Sequence, residues 1–597
     1  MAKELSNLKS LSVKSKLSSI LALPSVLVVA FINHLLTFLA YDWYAGIDSY
    51  SYDVCGLQLV SGHIFDLFPI LFRPPLIPII KNIVYLVFEG HPYLLSVLLH
   101  SLGVATAALA YRLGCRFHKA IGFALGMLVA LNLPMSVHFH FISTVTFFVP
   151  LLLLVADCFI VWAKKPDNWS LTFLVITTFL CFLTRLESIV LIPVFCVFGW
   201  FTHRNLKHAA AFLLICVMLY NLTCFFYYIN FGYWGINYNC GYSLFCRVTR
   251  AKDHQFNINN GSASRKLYEY IHKWIPLDVS VDNLDKAGLL TIFKGNEQAG
   301  TKLSDFGLGE DITIRERQMF TLNFVQRDIG YFKADRLFLM AGIEAIRSAP
   351  WKFLKYTLLR ILGQLDLYHE PGLNHKEFPS ETASGHMLGF DEKRMQEKKE
   401  YFYYWFPEIC KLDSPLQWER DAIKTRLCRA FGLSSKTVKL PDYFQMRPNV
   451  IFKSGLLHIY HCGDGNMLER FWSSRDLDIY FFLAYWGLRN YSKTALEALK
   501  YWDMLFMPRG WVRINIHRIM WVLWIIGIFA FRGDWRSKSL AAFLSIVILY
   551  AICQSVFSDN FGGRFELHMR VFLWLGAICG ILALYERWQE KRLEINK

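Results

Sequence analysis

A group of acidic and aromatic residues follows the first long apolar run of the chain. Its members are Asp42, Asp48, Tyr50, Tyr52 and Asp53. A carboxylate at the membrane surface suits a general base, which removes the proton of a hydroxyl nucleophile. The same carboxylate can instead cap a helix, because the polar residues after it can start a turn. Both roles stay open for Asp48, and Asp42 and Asp53 are its equal rivals.

An arginine and a glutamate stand where two apolar runs meet, at residues 183–188. Ionisable residues at membrane depth are costly, and they are usually functional or paired. Arg185 therefore either forms a local ion pair with Glu187 at a hairpin turn or binds a phosphate. The second role suits arginine because its planar guanidinium donates two parallel hydrogen bonds.

Histidines occur at two further places beside apolar runs. His138 and His140 are two residues apart, and His568 lies between Arg564 and Arg570 at the start of the last run. A metal site needs a third ligand at suitable spacing, and none stands there. We interpret His138 and His140 as a satisfied interfacial pair, with metal binding as the alternative. The two arginines either add positive charge to a site or extend to the membrane surface.

Long apolar helices must position these residues. The chain of 597 residues is 54% hydrophobic and 18% charged, whereas roughly 25% of the residues of an ordinary soluble domain are charged. A helix needs about 20 apolar residues to cross the hydrocarbon core. The candidate spans are 19–40, 92–112, 120–136, 141–162, 169–184, 188–202, 209–230, 515–531, 539–557 and 570–585. The predicted fold class is an all-α polytopic membrane protein with about ten or more transmembrane helices, interfacial helices and a large α-rich exoplasmic region.

The distribution of charge predicts how these spans are oriented. The net charge of +16 comes from lysines and arginines beside the spans, so it does not indicate nucleic-acid binding. Basic residues collect in alternate loops, such as 112–119 and 532–538, which are therefore expected to be cytoplasmic, like both termini. The segments placed outside are 41–91, 137–140, 185–187, 231–514 and 558–569. All the candidate residues consequently belong to one face of the membrane.

This topology divides the chain into three parts. They are an N-terminal transmembrane module at 1–230 with the first external loop at 41–91, an exoplasmic region at 231–514, and a C-terminal transmembrane module at 515–597. Within the exoplasmic region, the amphipathic stretch near 349–368 is predicted to lie on the membrane surface. A tilted span, paired with a second crossing near 478–492, is the alternative. Cys240 and Cys246 either form a disulfide or remain free thiols.

The chain resembles the GT-C membrane glycosyltransferases in the order and spacing of these segments. The similar branch is the bacterial one related to lipid A aminoarabinose transferases, protein O-mannosyltransferases and Rgt-type lipopolysaccharide glycosyltransferases. The matching segments are Asp48–Tyr50, Gly62–Phe65, Arg73–Pro78, Thr184–Glu187, Ala349–Tyr356 and Arg564–His568. The resemblance covers 19–230 well, and 340–370 and 555–585 more weakly.

The resemblance implies a GT-C-like fold and a polyprenyl-phosphate sugar as the donor, used on the external face. Asp48 would be the base of an inverting transfer, while Arg185, Arg73 and Arg564 would bind the donor phosphate. The supporting residues would be Tyr50, Tyr52, Asp53, Glu187, His138, His140 and His568. The acceptor would be a glycan, a lipid or a protein, and no cofactor is firmly implied, although a divalent metal would be compatible. The expected location is a bacterial inner membrane, with the active site on the periplasmic or extracellular side.

Two other functions compete with sugar transfer. Many relatives have an acidic residue at the start of the fourth span, where this chain has Ser143–Thr146. This departure would fit a non-catalytic scaffold of the same fold in envelope assembly. A transporter or flippase of a lipid-linked sugar would instead place charges deep within several spans. We expect the ionisable residues of this chain near the span ends, and acceptor recognition in 371–514.

Overall fold

The computed structural model describes an almost entirely helical protein. The described residues are 22–40, 74–77, 79–80, 83, 92–140, 144–203, 206–231, 234–235, 240–248, 257–272, 325, 329, 331–365, 367, 493–506, 510–557 and 567–595. Throughout these residues every regular element is a helix. The predicted all-α class is therefore confirmed for the part of the chain that the structure describes.

Residues 22–231 contain eight of the helices described. Their bounds are α1 Ala22–Ala40, α2 Pro92–Phe117, α3 Lys119–Leu131, α4 Leu133–His138, α5 Thr144–Lys164, α6 Asn168–Thr184, α7 Leu191–His203 and α8 Leu206–Phe231, with a 3-10 turn at Leu186–Val190 between α6 and α7. The remaining described helices are α9 Cys240–Val248, α10 Ser262–His272, α11 Tyr331–Ser348, α12 Pro350–Gln364, α13 Lys493–Phe506, α14 Gly510–Ala530, α15 Trp535–Phe557 and α16 Leu567–Ile595.

Six of these helices are long and apolar enough to cross a membrane, so this is a multi-pass membrane protein. They are α1, α2, α5, α8, α15 and α16. The shorter apolar helices α3, α6, α7 and α14 account for the other predicted spans. The total of ten or more spans remains a prediction, because α3 and α7 have 13 residues each, which is short for the hydrocarbon core.

The predicted span at 120–136 is wrong in its extent, since α3 ends at Leu131. Asn132 has an extended backbone, and its side-chain oxygen accepts a hydrogen bond from the N–H of Met135 at 2.9 Å. Pro134 follows in the first turn of α4, where its missing N–H costs nothing. A side chain that caps the next helix thus ends the span five residues early.

One apolar core joins helices from both ends of the chain. Buried residues of α2, α3, α5, α6 and α7 pack in the same cluster as those of α14, α15 and α16. Glycines allow the closest approaches, because an added Cβ at Gly122 would overlap α2, and one at Gly580 would overlap the α14 backbone at Leu523. The N- and C-terminal apolar helices therefore form one packed bundle.

A second, smaller core lies in the region predicted to be exoplasmic. Phe245 and Val248 of α9, Leu267 of α10 and Phe338 of α11 are buried together. Gly241 lets α9 approach α11 closely, because any Cβ there would overlap the backbone carbonyl of Asp335.

The neighbouring helix α12 keeps Thr357 and Arg360 buried, whereas its apolar Trp351, Leu354 and Leu358 are exposed. The predicted surface helix near 349–368 is thus present as α12, and its location on the membrane remains a prediction. The alternative crossing near 478–492 lies outside the described residues. Of the two cysteines that could form a disulfide, Cys240 is a free thiol.

The carboxyl group of Asp335 links α11 to α9, and its contribution to the free energy of unfolding depends on pH. It accepts the backbone N–H of Tyr242 at 2.8 Å, and burial raises its pKa from 3.8 to about 7. Because the folded protein holds this proton more tightly than the unfolded chain does, its contribution to stability falls as the pH rises from about 4 to about 7.

Replacing Asp335 with asparagine is expected to remove this loss, because the amide still accepts the Tyr242 N–H but cannot ionise. The pKa difference corresponds to about 4 kcal/mol at most above pH 7. The measurement is the apparent thermal unfolding midpoint in lipid nanodiscs between pH 4 and pH 8. Burial raises the pKa of Glu344, but N–H groups of Ala263 and Ser264 outweigh it and lower the pKa overall. The carboxylate of Glu344 therefore stabilises the fold less as the pH falls, and Glu344→Gln should remove this dependence, which is opposite in sign to that of Asp335. If the unfolding midpoints of the wild type and of Asp335→Asn change equally with pH, the role given to Asp335 is contradicted.

Candidate functional site

The junction between α6 and α7 presents the Arg185 side chain. The helix ends because Arg185 takes an extended backbone conformation, with its N–H still bonded to the carbonyl of Cys181 at 2.9 Å. The hydroxyl of Ser188 then donates to the Arg185 carbonyl at 2.7 Å. These two bonds fix a tight 3-10 turn between the helices.

Arg185 and Glu187 form the predicted ion pair across this turn. The Nη2 atom of Arg185 lies 3.2 Å from Oε1 of Glu187, and its Nε lies 3.5 Å from Oε2. The arginine side chain is 5% exposed and the glutamate 31%. The local ion pair is thus confirmed, while the role of Arg185 towards a phosphate remains a prediction.

Helix α15 supplies partners that the sequence analysis did not identify. The Gln554 amide donates a hydrogen bond to Oε1 of Glu187. The guanidinium carbon of Arg185 lies 5.9 Å from the centre of the Tyr550 ring and 5.7 Å from that of Phe148 on α5. The two rings are stacked with their centres 6.2 Å apart. We call Phe148, Arg185, Glu187, Tyr550 and Gln554 the Arg185 cluster.

The Arg185 cluster holds a cation in a fixed position near the ends of three apolar helices. Aromatic faces attract a guanidinium within about 6 Å, more strongly where water is excluded. The carboxylate of Glu187 and the amide of Gln554 restrict its rotation. A preorganised guanidinium in such surroundings can stabilise a phosphate that gains negative charge.

A second buried guanidinium reaches the same end of α15. Arg247 of α9 donates from Nε to the carbonyl of Ser555 at 3.3 Å and from Nη2 to the hydroxyl of Thr357 on α12 at 3.4 Å. Its side chain is fully buried, and Ser555 is the residue after Gln554. Arg247 therefore fixes α9 and α12 to the helix end that contributes Gln554 to the Arg185 cluster.

Another charged group lies deeper in the bundle, which is an exception to the expected position of ionisable residues at span ends. Asp157 is buried in α5, seven residues before its end, and lies 2.6 Å from Nε of Arg116 and 2.9 Å from Nη2 of Arg112. Nine residues of helix separate it from Phe148, which is about 13 Å along the axis. This ion pair is therefore remote from the Arg185 cluster.

The first of the two predicted histidines, His138, ends α4, and His140 lies in the turn that follows; both are buried. The Nδ1 atom of His140 lies 3.0 Å from Nε2 of His100 on α2, and the carbonyl of His138 accepts the hydroxyl of Thr146 at 3.0 Å. Within the described part of the chain, no three His, Cys, Asp or Glu side chains are arranged to hold a metal ion. The histidine contact nevertheless extends to a third ring, that of His34 on α1.

The remaining candidate residues fall outside the residues that the structure describes. They are Asp48, Tyr50, Tyr52, Asp53, Arg73 and Arg564. His568 lies on α16, where only its backbone is described. The predicted meeting of Asp48 with Arg185 in one external pocket therefore remains a prediction.

The Gln554 hydrogen bond can be tested by a single substitution. Gln554→Leu removes the donor to Glu187. A buried charged acceptor that loses a hydrogen bond costs about 1–3 kcal/mol, and the cost here should lie at the lower end because Glu187 is 31% exposed. We expect a lower thermal midpoint in lipid nanodiscs. Ser545→Ala is the matched control, because the Ser545 hydroxyl bonds only to a carbonyl of its own helix, that of Ala541. Equal midpoints for both variants would show that Gln554 does not support the cluster.

Comparisons with known proteins give similarity to two solved structures. No protein-family model and no curated protein sequence matches the chain. ArnT from Cupriavidus metallidurans, bound to undecaprenyl phosphate, is 12% identical over 86% of this chain and 80% of its own, with a TM-score of 0.29. The archaeal oligosaccharyltransferase AglB from Archaeoglobus fulgidus, in complex with an inhibitory peptide and a dolichol-phosphate, is 14% identical. That alignment covers 91% of this chain but 56% of AglB, with a TM-score of 0.29. Alignments at this score transfer neither residue roles nor an activity.

Proposed function

We propose that this protein is an integral membrane glycosyltransferase. It would move a sugar from a polyprenyl-phosphate donor to a hydroxyl of a glycan, lipid or protein acceptor on the external face of the membrane. The observation that supports this most directly is the Arg185 cluster, which holds a guanidinium beside two stacked aromatic rings near the ends of three apolar helices. The sequence resemblance to GT-C enzymes supplies the donor class and the base.

The proposed reaction is an inverting transfer. Asp48 takes the proton of the acceptor hydroxyl as the oxygen attacks the anomeric carbon, and the bond from that carbon to the donor phosphate breaks. The lipid phosphate leaves with the bonding electrons, and Arg185 stabilises its negative charge. In this proposal Arg73 and Arg564 contribute further positive charge, and the tyrosines near Asp48 shape the acceptor side.

The ion pair with Glu187 is compatible with phosphate binding. A guanidinium has five N–H donors in a planar fork, so it can contact a carboxylate on one edge and a phosphate on another. Glu187 would then hold the guanidinium in the orientation that the phosphate needs, and Gln554 would hold Glu187. This is the arrangement expected of a residue that positions another by hydrogen bonding.

The alternative of a lipid-linked sugar transporter gains little from the structure. Asp157, an ionisable group found deep in the bundle, forms ion pairs with both Arg112 and Arg116. Two arginines that neutralise one aspartate form a stable connection between α2 and α5, which suits a structural pair more than an ion pathway.

The test is to follow the donor itself. Membranes that contain the protein are incubated with a radiolabelled polyprenyl-phosphate sugar, and the lipid products are separated. A transferase should release polyprenyl phosphate and label the acceptor, whereas a transporter should leave the donor chemically intact. In cells without the gene, mass spectrometry should show accumulated donor and a truncated envelope glycan. Donor consumption that is equal with and without the protein would refute the proposal.

A further inference from the structure

Three buried histidines form a continuous hydrogen-bonded chain that ends in the turn before α5. The Nδ1 atoms of His34 on α1 and His100 on α2 lie 3.0 Å apart. The other nitrogen of His100, Nε2, lies 3.0 Å from Nδ1 of His140 in the turn before α5. We call these three residues the histidine chain.

The surrounding helices hold the three rings in place and keep water away. An added Cβ at Gly103 would overlap the His34 ring, so this glycine is what makes room for it on α2. Phe139 packs edge-on against His34, with the ring centres 5.6 Å apart, and Phe38 does the same against His100 at 5.8 Å. Apolar rings thus pack against both His34 and His100.

Polar contacts beside the histidine chain fix α1 against α3 and α4, which precede the turn that contains His140. The Asn33 amide donates to the carbonyl of Ala130 at 2.9 Å, and the Ser136 hydroxyl donates to Oδ1 of Asn33 at 3.1 Å. The Thr37 and Ser136 hydroxyls are also 3.0 Å apart. These bonds keep His34 in register with the segment that presents His140.

The geometry of the histidine chain is that of a relay and not of a metal site. A single metal ion would take one nitrogen from each ring, at about 2.0–2.1 Å. His100 instead directs its two nitrogens, on opposite sides of the ring, to different partners. The three rings therefore do not converge on one point.

A neutral imidazole has one N–H donor and one acceptor nitrogen. Burial lowers the pKa of His140, in the turn outside the predicted spans, to about 4. If the rings are neutral, His100 must donate to one neighbour and accept from the other. The chain then has a direction, which reverses only when each ring exchanges its tautomer.

We propose that His34, His100 and His140 form a proton relay near one end of the helical bundle. A proton binds the bare nitrogen of one terminal ring, and that ring then gives the proton on its other nitrogen to the next ring. The same exchange repeats along the chain, and the opposite terminal ring releases one proton. No net charge remains, and no oxidant or cofactor is needed. Each transfer exchanges the protonated and the bare nitrogen of a ring.

The position of the relay suggests what it serves. The hydroxyl of Thr146, in the first turn of α5, bonds to the His138 carbonyl, and Phe148, two residues later, faces Arg185. The histidine chain and the Arg185 cluster therefore lie at the same end of α5. The relay would remove the proton that the acceptor hydroxyl gives up, and this part rests on the proposed function.

The test is ¹⁵N solid-state NMR of the full-length protein in lipid bilayers, with labelled histidine rings. The variants His34→Asn and His100→Gln assign the signals. A relay should give ring-nitrogen shifts of His34, His100 and His140 that are averaged between the protonated and bare values, because the tautomers exchange. Gly103→Ala should displace His34 and restore separate shifts for His100.

The wild-type spectrum decides the proposal even if a variant fails to fold. Separate, unexchanging protonated and bare nitrogens in all three rings at pH 7 would overturn the relay and leave the proposed sugar transfer standing. Averaged shifts in a protein that does not consume a polyprenyl-phosphate sugar would support the relay and refute the transferase function instead.

Discussion

Replacing Asp48 with asparagine should abolish sugar transfer while leaving the helical bundle folded. The amide has nearly the same shape as the carboxylate but cannot take up the proton of the acceptor hydroxyl. General-base catalysis contributes about 10²- to 10⁴-fold to such reactions, so the rate should fall by at least about 10²-fold. The measurement is the release of polyprenyl phosphate from a labelled donor, together with the thermal midpoint of the purified variant.

Asp42→Asn and Asp53→Asn are the matched controls for this prediction. Both remove one negative charge from the same loop, so a purely electrostatic effect would appear in all three variants. Full activity of Asp48→Asn would remove Asp48 from the mechanism. Loss of activity in Asp53→Asn alone would assign the base to that rival.

The apolar helices could be predicted from the sequence because their signal is local. The runs at 141–162 and 539–557 appear as α5, Thr144–Lys164, and α15, Trp535–Phe557. Length and hydropathy suffice to predict such elements, since the hydrocarbon core and the packed bundle both favour apolar side chains. The break at Asn132 was missed because hydropathy does not register a side chain that caps the next helix.

The contacts between distant helices could not be predicted in this way. Gln554 reaches Glu187 from 367 residues away, and only its polarity within an apolar run singles it out. His34 and His100 are single histidines in separate apolar runs, and their contact depends on the packing of α1 against α2. The local turn that pairs Arg185 with Glu187 was predictable because both residues belong to one short segment.

Replacing Arg185 should affect both transfer and stability. Arg185→Gln removes the cation that stabilises the leaving phosphate, and the loss of one such preorganised donor costs about 10²- to 10³-fold in rate. Arg185→Lys keeps the charge but not the planar fork, so it should recover only part of the activity. The measurements are donor consumption and retention of the labelled donor on the immobilised protein.

The stability effect of Arg185→Gln has a different cause, the loss of a partner for Glu187. Breaking a buried ion pair costs about 3–5 kcal/mol, and the cost here should be smaller because Glu187 is 31% exposed. A lower thermal midpoint alone therefore does not show that Arg185 binds a phosphate. A structural ion pair would give the same result.

The double variant Arg185→Gln with Glu187→Gln separates the two roles. Neither residue is then charged, so the midpoint should return close to that of the wild type, since a neutral pair leaves no uncompensated charge. If Arg185 binds the donor phosphate, transfer should remain lost in this refolded variant. If the pair is only structural, activity should return together with stability. Recovery of both would therefore remove Arg185 from the proposed mechanism, while recovery of stability alone would assign the guanidinium to the phosphate.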